Sequence, residues 1–211
     1  MAKVIEPYYV IEYPEELDQE RVLERLERYG RTCYKSEGKI GPGSAEKLIR
    51  DIIARGHESV LEHEKVTVRI ICDRGVTHEI VRHRIASYSQ ESTRFCNYAK
   101  DQFGNQITVI RPVFWQPETV EYEIWLSAME AAERVYFKLL EHKASPQKAR
   151  SVLPNSLKTE IVVTFNLREW RHVLRLRCSK DAHPQMRQIM LPLLGEFKQK
   201  LPIFFDDINP S

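Results

Sequence analysis

The chain has 211 residues, with 32 Lys+Arg against 30 Asp+Glu for a formal net charge of +2, and is 42% hydrophobic and 29% charged. That composition is ordinary for a globular protein, and folding at this length removes roughly 70% of the unfolded surface from water, so a core forms without disulfide or metal staples. One domain over residues 1–211 is expected, and with no apolar run near the ~20 residues a bilayer requires and no secretory pattern in the acidic N-terminal stretch, a cytoplasmic chain without a membrane partner.

Leu17, Val22, Leu23, Leu26 and Tyr29 recur at near-helical spacing, which predicts a helix from Pro14 to Tyr29 stopped at Gly30. Ser44 can cap a second helix that carries Leu48, Ile49, Ile52 and Ile53 and ends at Gly56. The alternation of Val66, Val68, Ile70 and Cys72 in KVTVRIIC reads as a half-buried strand. Gly75 to Arg84 reads as a short helix, and SYSQEST after it is polar enough to be an exposed loop. QITVIRP gives a strand closed by Pro112, and Pro117 starts the longest helix, with Val120, Ile124, Ala128, Ala131, Val135 and Leu139 as its inward side. Pro146–Leu153 is a short helical piece, LKTEIVVTF a β-branched strand, and Leu167–Leu176 and Gln185–Lys200 are helices, the last bent by Pro192. The pattern has no repeat and no linker, and fits an α+β domain.

Cys33, Cys72, Cys96 and Cys178 form no CxxC pair, so reduced and mostly buried thiols are expected. Cys178 adjoins Arg177 and Lys180, whose charges favour some thiolate character. The near-neutral total conceals segregation, because Ser145–Gln188 carries nine Lys+Arg against three Asp+Glu. An excess of that kind favours an anionic partner, either nucleic acid or nucleotide.

Three constellations can carry chemistry. RHRIASYSQESTR places Arg82, Arg84 and Arg94 around hydroxyls and an amide, and two arginines two positions apart on a helix diverge, so two anionic groups are implied. Planar bidentate recognition of such groups is what arginine adds over lysine. HESVLEH places His57 and His63 six apart, and His78 and His83 are five apart, so neither gives the four-residue spacing of HExxH and no metal is expected. Arg150, with NLREWRHVLRLRCSKDAHPQ, supplies Asn166, Arg168, His172 and Arg177 near a strand-to-helix switch. Trp115, Trp125 and Trp170 could stack on a planar ligand, although packing is the commoner use of the side chain. No GxGxxG, GxxxxGK[ST] or GxSxG occurs, which removes the main support for Rossmann, P-loop and hydrolase chemistry.

RHR followed by seven residues and Ser92 resembles the signature of the flavin-dependent thymidylate synthases. HESVLEH, ARSVLP (Ala149–Pro154) and NLREWRHVLRLR resemble further segments of that family, in its order and at similar spacing. The resemblance implies an α+β domain, a mostly antiparallel twisted sheet flanked by helices, assembled as a homotetramer whose active sites are shared between subunits. It also implies reductive methylation of dUMP to dTMP, with methylenetetrahydrofolate as carbon donor and FAD reduced by NADPH. Carried over by position, His57, Ser59, Arg82, His83, Arg84, Gln90, Asn166, Leu167, Arg168 and His172 would bind FAD. Glu79, Ile80, Val81, Arg82, Gln90, Glu91, Ser92, Thr93, Arg94, Arg150 and Arg177 would bind dUMP, with Arg177 catalytic against the uracil. Ser89 and Gln90 stand where other members carry Asn and Glu, and His172 where others carry Asn. The flavin would take the redox role, leaving no task for a cysteine nucleophile. Two other readings are an Arg-rich nucleic-acid-binding module, which leaves the serine loop and HESVLEH unexplained, and a flavin oxidoreductase without methyl transfer, which would not need Arg150 and Arg177.

Overall fold

The computed structural model describes residues 1–210. In chain order the elements are β1 (Lys3–Ile5), β2 (Tyr8–Tyr13), α1 (Gln19–Thr32), α2 (Ser44–Ala54), β3 (Lys65–Asp73), α3 (Arg74–Ile80), β4 (Ser87–Gln90) and β5 (Thr108–Ile110). These are followed by α4 (Val120–Glu141), α5 (Pro146–Ala149), β6 (Lys158–Asn166), α6 (Leu167–Arg177), α7 (Pro184–Lys200) and α8 (Pro202–Phe205). Short 3-10 turns fall at Glu37–Lys39, Glu58–His63, Asp101–Phe103 and Arg150–Val152. The class is α+β, and among the described residues no helix is long and apolar enough to cross a membrane.

Four strands form a sheet in the order β2-β3-β6-β4, and β1 and β5 form a parallel pair with Val4 opposite Val109. Thr67 meets Thr164 through their hydroxyls at 2.8 Å, and Arg69 meets Glu160 at 3.1 Å. Numbers that rise along β3 therefore fall along β6, which is the antiparallel sense.

The chain packs as two compact units. The first comprises Met1–Tyr9, Arg69–Arg82 and Tyr88–Val162; the second comprises Val10–Val68, His83–Ser87 and the chain from Val163 on. Both are discontinuous, so no single cut in the sequence separates them.

In the first unit, Ile107, Val109, Trp125, Met129, Tyr136 and Leu157 form the core. Helix α4 starts at Val120 because the Thr119 side chain accepts from the Tyr122 N–H, three residues later than Pro117 suggests. Its buried residues are Trp125, Met129, Glu133 and Tyr136, whereas Val120, Ile124 and Val135, expected inward, are 72%, 67% and 45% exposed. Glu133 can lie inside because its carboxylate accepts the Ile107 N–H at 3.0 Å. Helix α3 is capped by the Asp73 carboxylate on the Val76 N–H and ends at Ile80, so Arg82 and Arg84 lie beyond it rather than on diverging helical positions. SYSQEST is not all loop: Ser87–Gln90 is an edge strand, anchored where the Tyr88 hydroxyl donates to the Ile80 carbonyl at 2.8 Å.

In the second unit, α1 begins at Gln19, where Asp18 accepts from the Glu20 and Arg21 N–H groups, and runs through Gly30. A side chain there would meet Leu48 Cδ2 at 3.3 Å, so glycine at this point permits close approach of α2 and does not end the helix. Ser44 is the first residue of α2 rather than its cap; its hydroxyl accepts from the Gly41 N–H while Gly43, at φ 73°, takes the cap position. Trp170 lies at the centre of the aromatic core, 4.6 Å from Phe165 and 5.4 Å from Phe197 between ring centroids. Its indole N–H donates to the Val66 carbonyl at 3.0 Å, so Trp170 is core and offers no stacking face.

Candidate active site

Of the residues expected to bind dUMP, all but Arg177 lie in the first unit; of those expected to bind FAD, all but Arg82 and Gln90 lie in the second.

In the first unit, β4 leads directly into the expected phosphate segment. Gln90 Nε2 donates to the Thr77 hydroxyl at 3.0 Å and the Thr159 hydroxyl at 3.4 Å, contacts in which a glutamate would have to accept instead. Glu91 accepts from the Tyr98 hydroxyl at 2.8 Å and from Lys158 Nζ at 2.9 Å, and Lys158 reaches Glu160 at 2.7 Å. Burial alone would lower the Lys158 pKa, but hydrogen bonds to Glu160 and Glu91 prevail and raise it. The hydrogen bond from Lys158 holds Glu160 below the usual carboxylate range, against its burial. This network lines two clefts of about 380 and 590 Å3 that share Glu91, Gln102, Phe103 and Lys158.

Two turns further on, Arg94 Nε donates to the Gln147 side chain at 2.7 Å and Arg150 Nη1 reaches the Thr93 hydroxyl at 3.5 Å. Thr93, Arg94 and Arg150 are thus brought together, with both guanidiniums exposed. Ser92 accepts the Arg94 N–H at 3.3 Å, which folds the hydroxyls toward the same turn. On α3, Ile80 is 1% exposed and can serve a ligand only through its backbone, whereas Glu79 is half-buried and Val81 and Arg82 are exposed.

In the second unit, α6 continues from β6, and the Asn166 side chain accepts the Glu169 N–H at 2.8 Å as its cap. Arg168 and His172 present an exposed face one turn apart, with Arg168 paired to Glu62. Arg171, on the adjoining flank of the helix, is fully buried: its guanidinium donates to Asp207 through two bonds of 2.7 Å, to Glu58 at 3.0 Å and to the Phe204 carbonyl. Glu58 lies between His57 and Ser59, both exposed, so this network ties the HESVLEH segment to α6. Leu167 is buried and its N–H donates to the Glu64 carbonyl at 2.9 Å, which fixes the start of α6 against the end of the HESVLEH segment.

Within RHR, His83 is buried at 6% exposure while Arg82 and Arg84 are exposed. Its Nε2 accepts from Arg177 Nε at 3.0 Å, and its Nδ1 faces Glu169 Oε1 at 3.5 Å. Burial first, then the charges of Arg177 and His172, lower its pKa to about 4, so the imidazole is neutral at physiological pH. Ligand atoms of His83, Glu169 and His172 lie within 4.8 Å of one another, a spacing a metal ion could use, but the guanidinium on Nε2 occupies one lone pair and repels a cation. Cys178 does not have the expected thiolate character: it is 0% exposed, and burial raises its pKa to about 11 against the pull of Arg187 and Lys198. Sequence reasoning did not single out Glu169, Gln147, Lys158 or Tyr98. Each is a generic helix, strand or loop residue by type, and only contact marks it.

The family model described as thymidylate synthase complementing protein matches residues 17–203. A flavin-dependent thymidylate synthase of Geobacter sulfurreducens is 34% identical over 188 residues, covering 86% of this chain and 79% of that protein. Those of Mycobacteroides abscessus (36% over 202 residues, 87% and 78% covered) and Pyrococcus furiosus (34% over 183 residues, 86% and 72% covered) are similarly related. Among solved structures, a UMP/dUMP methylase from Streptomyces cacaoi bound with 5-Br dUMP superposes with a TM-score of 0.76 at 21% identity, covering 97% of this chain and 95% of that one, and so shares the fold. With a family model spanning nearly the whole chain and relatives above 30% identity, this chain belongs to the thymidylate synthase complementing protein family, the flavin-dependent thymidylate synthases, which are methyl-transferring flavoenzymes.

Proposed function

We propose that this chain converts dUMP to dTMP, taking the one-carbon unit from methylenetetrahydrofolate and reducing equivalents from NADPH through FAD. The observation that carries the reading is the cluster of Thr93, Arg94, Gln147 and Arg150, where two exposed guanidiniums are steered by a hydroxyl and an amide into one turn. That donor set suits a phosphomonoester, because charged planar forks bind phosphate oxygens bidentately. A fold neighbour crystallised with a brominated dUMP supports the same ligand class.

The residues of the second unit fit a flavin dinucleotide by their chemistry. Arg84, Arg168, His172 and Ser59 are exposed donors that could meet a pyrophosphate, and the Asn166 amide keeps its NH2 for a ring or sugar while its oxygen caps α6. FAD, when bound there, would supply the reductive chemistry that no side chain of the protein can. The tasks of the chain itself are binding and electrostatics. Arg94 and Arg150 would hold the phosphate, and Arg177 would stabilise negative charge developing at uracil N3 and its carbonyl as C5 becomes nucleophilic, an effect commonly worth ~10² to 10³ in rate. No thiol is needed, and the depressed acidity of Cys178 agrees with that.

The nucleic-acid reading loses support because two of the arginines of α6, Arg171 and Arg175, are turned to Asp207 rather than to an outside backbone. For assembly as a homotetramer with shared active sites in the cytoplasm, support comes from the resemblance and from the apolar strip Val120, Ile124 and Val135 left exposed along α4.

The test is release of tritium from the uracil 5-position of dUMP by the purified flavin-loaded protein. Release that requires methylenetetrahydrofolate and NADPH is expected. Flavin binding and NADPH oxidation without tritium release would favour an oxidoreductase, and no acquisition of flavin would remove both readings.

A further inference from the structure

Glu169 is outside every residue set assigned above, yet it is buried at 8% exposure on the same helix as Arg177. Its backbone N–H is fixed by Asn166, and its carboxylate faces His83 Nδ1 at 3.5 Å. At the other edge of that imidazole, Nε2 is 3.0 Å from Arg177 Nε. A guanidinium N–H can only donate, so Nε2 must be the unprotonated acceptor, and the single proton of the neutral ring must sit on Nδ1, toward Glu169. Phe165 packs edge-on against the ring at 6.3 Å and His172 at 5.7 Å. Glu169, His172 and Arg177 are among the ionisable groups that face His83.

We propose that Glu169 is a positioning residue: through the Nδ1–H tautomer of His83 it presents a lone pair to Arg177 Nε and so orients the guanidinium that acts on the pyrimidine. The role of Arg177 rests on the function proposed above; the tautomer does not. An isolated imidazole favours its proton on Nε2, which would set two donors against each other at 3.0 Å; the carboxylate at Nδ1 reverses that preference. Burial, opposed by His172 and Arg168, raises the Glu169 pKa, the direction expected for a carboxylate whose main partner is a neutral ring.

The experiment begins with the full-length protein labelled with 15N in its imidazoles, reading the His83 tautomer from long-range proton–nitrogen correlations, with His83→Gln for assignment. The wild type is expected as neutral Nδ1–H near neutral pH, Glu169→Gln as the same tautomer because the amide oxygen still accepts, and Glu169→Ala shifted toward Nε2–H. In tritium-release assays Glu169→Ala should lower kcat roughly 10- to 100-fold, as loss of a carboxylate behind a functional histidine does elsewhere, with flavin content per chain unchanged. The same substitution in an Arg177→Ala background should cost nothing further, since residues acting as one unit are not additive. A purely structural Glu169 would give additive losses and leave the tautomer alone. Wild-type His83 protonated on Nε2, an unchanged tautomer in Glu169→Ala, or additive losses would overturn the proposal. The wild-type tautomer is read without turnover, so a chain without tritium release would refute the function while leaving the Glu169–His83 contact decided.

Discussion

Replacing Arg171 with alanine should destabilise the protein and loosen its flavin together. The guanidinium is 0% exposed and holds two carboxylates, Glu58 with a side chain 14% exposed and Asp207 with one 44% exposed. Removing one partner of a buried pair costs about 3–5 kcal/mol, because the other charges stay behind without compensation. Asp207 can regain water and Glu58 far less, which places the loss near the lower end, about 3 kcal/mol. For a chain of this length that corresponds to a fall in Tm of roughly 6–12 °C. The loss should depend on pH. Burial would raise the Asp207 pKa, but the hydrogen bonds and charges of Arg171 and Arg175 prevail and hold it below its ordinary 3.8. A depressed carboxylate contributes fully above its unfolded pKa and ceases to contribute as pH falls through the folded value, so the gap between wild type and variant should close below about pH 4. Because Glu58 adjoins His57 and Ser59, the variant should also retain less flavin, read as visible absorbance per chain. Thermal melts at neutral and acid pH supply the rest. An unchanged Tm at pH 7, or a gap undiminished at about pH 3, would refute the account of this network.

Cys178→Ser should keep turnover, since a thiol raised to about 11 is protonated at neutral pH, while Tm falls for the hydroxyl left in an apolar site; loss of all turnover with normal flavin content would contradict this. Arg150→Ala should raise the KM for dUMP roughly 10- to 100-fold, the worth of a hydrogen bond to an ionised group, and leave the binding of deoxyuridine, which has no phosphate, unchanged. His83 is lowered from 6.5 to about 4, so unfolding takes up a proton between those values and stability should rise with pH across that window and level off above it. His83→Gln should flatten that slope in denaturant titrations. Ile124→Glu should reduce the assembly size measured by light scattering without changing the far-ultraviolet spectrum; an unchanged mass would remove α4 from the interface.

Where one face of an element is apolar and the other polar, the sequence was readable. Strand β3 follows from alternation and β6 from its β-branched run, and HESVLEH, RHR and NLREWRHVLRLR stand out as candidate segments by their resemblance to the family. Helix α4 was legible as a helix but not in orientation, because it is apolar on two sides. Periodicity cannot choose between Val120, Ile124 and Val135 and the buried set of Trp125, Met129 and Tyr136, least of all when the buried set includes Glu133. The edge strand Ser87–Gln90 is polar because it exposes Ser87 and Ser89 while Tyr88 and Gln90 bond back to Ile80 and Thr77 on α3. Glu169 escaped for the same reason: a glutamate in the first turn of a helix is ordinary, and only His83, brought from 86 positions earlier in the sequence, gives it a task.

Asn166 links architecture to ligand chemistry in a way that affects how mutants of this site should be interpreted. Its amide oxygen starts α6, a contact worth about 0.5–2 kcal/mol at a helix N-terminus, and truncating it would fray the helix that carries Arg168, His172 and Arg177. Loss of colour in an alanine variant would therefore mix two causes that a single absorbance reading cannot separate. Aspartate at that position would preserve the helix start while setting a negative charge against any bound diphosphate, making it the cleaner chemical probe.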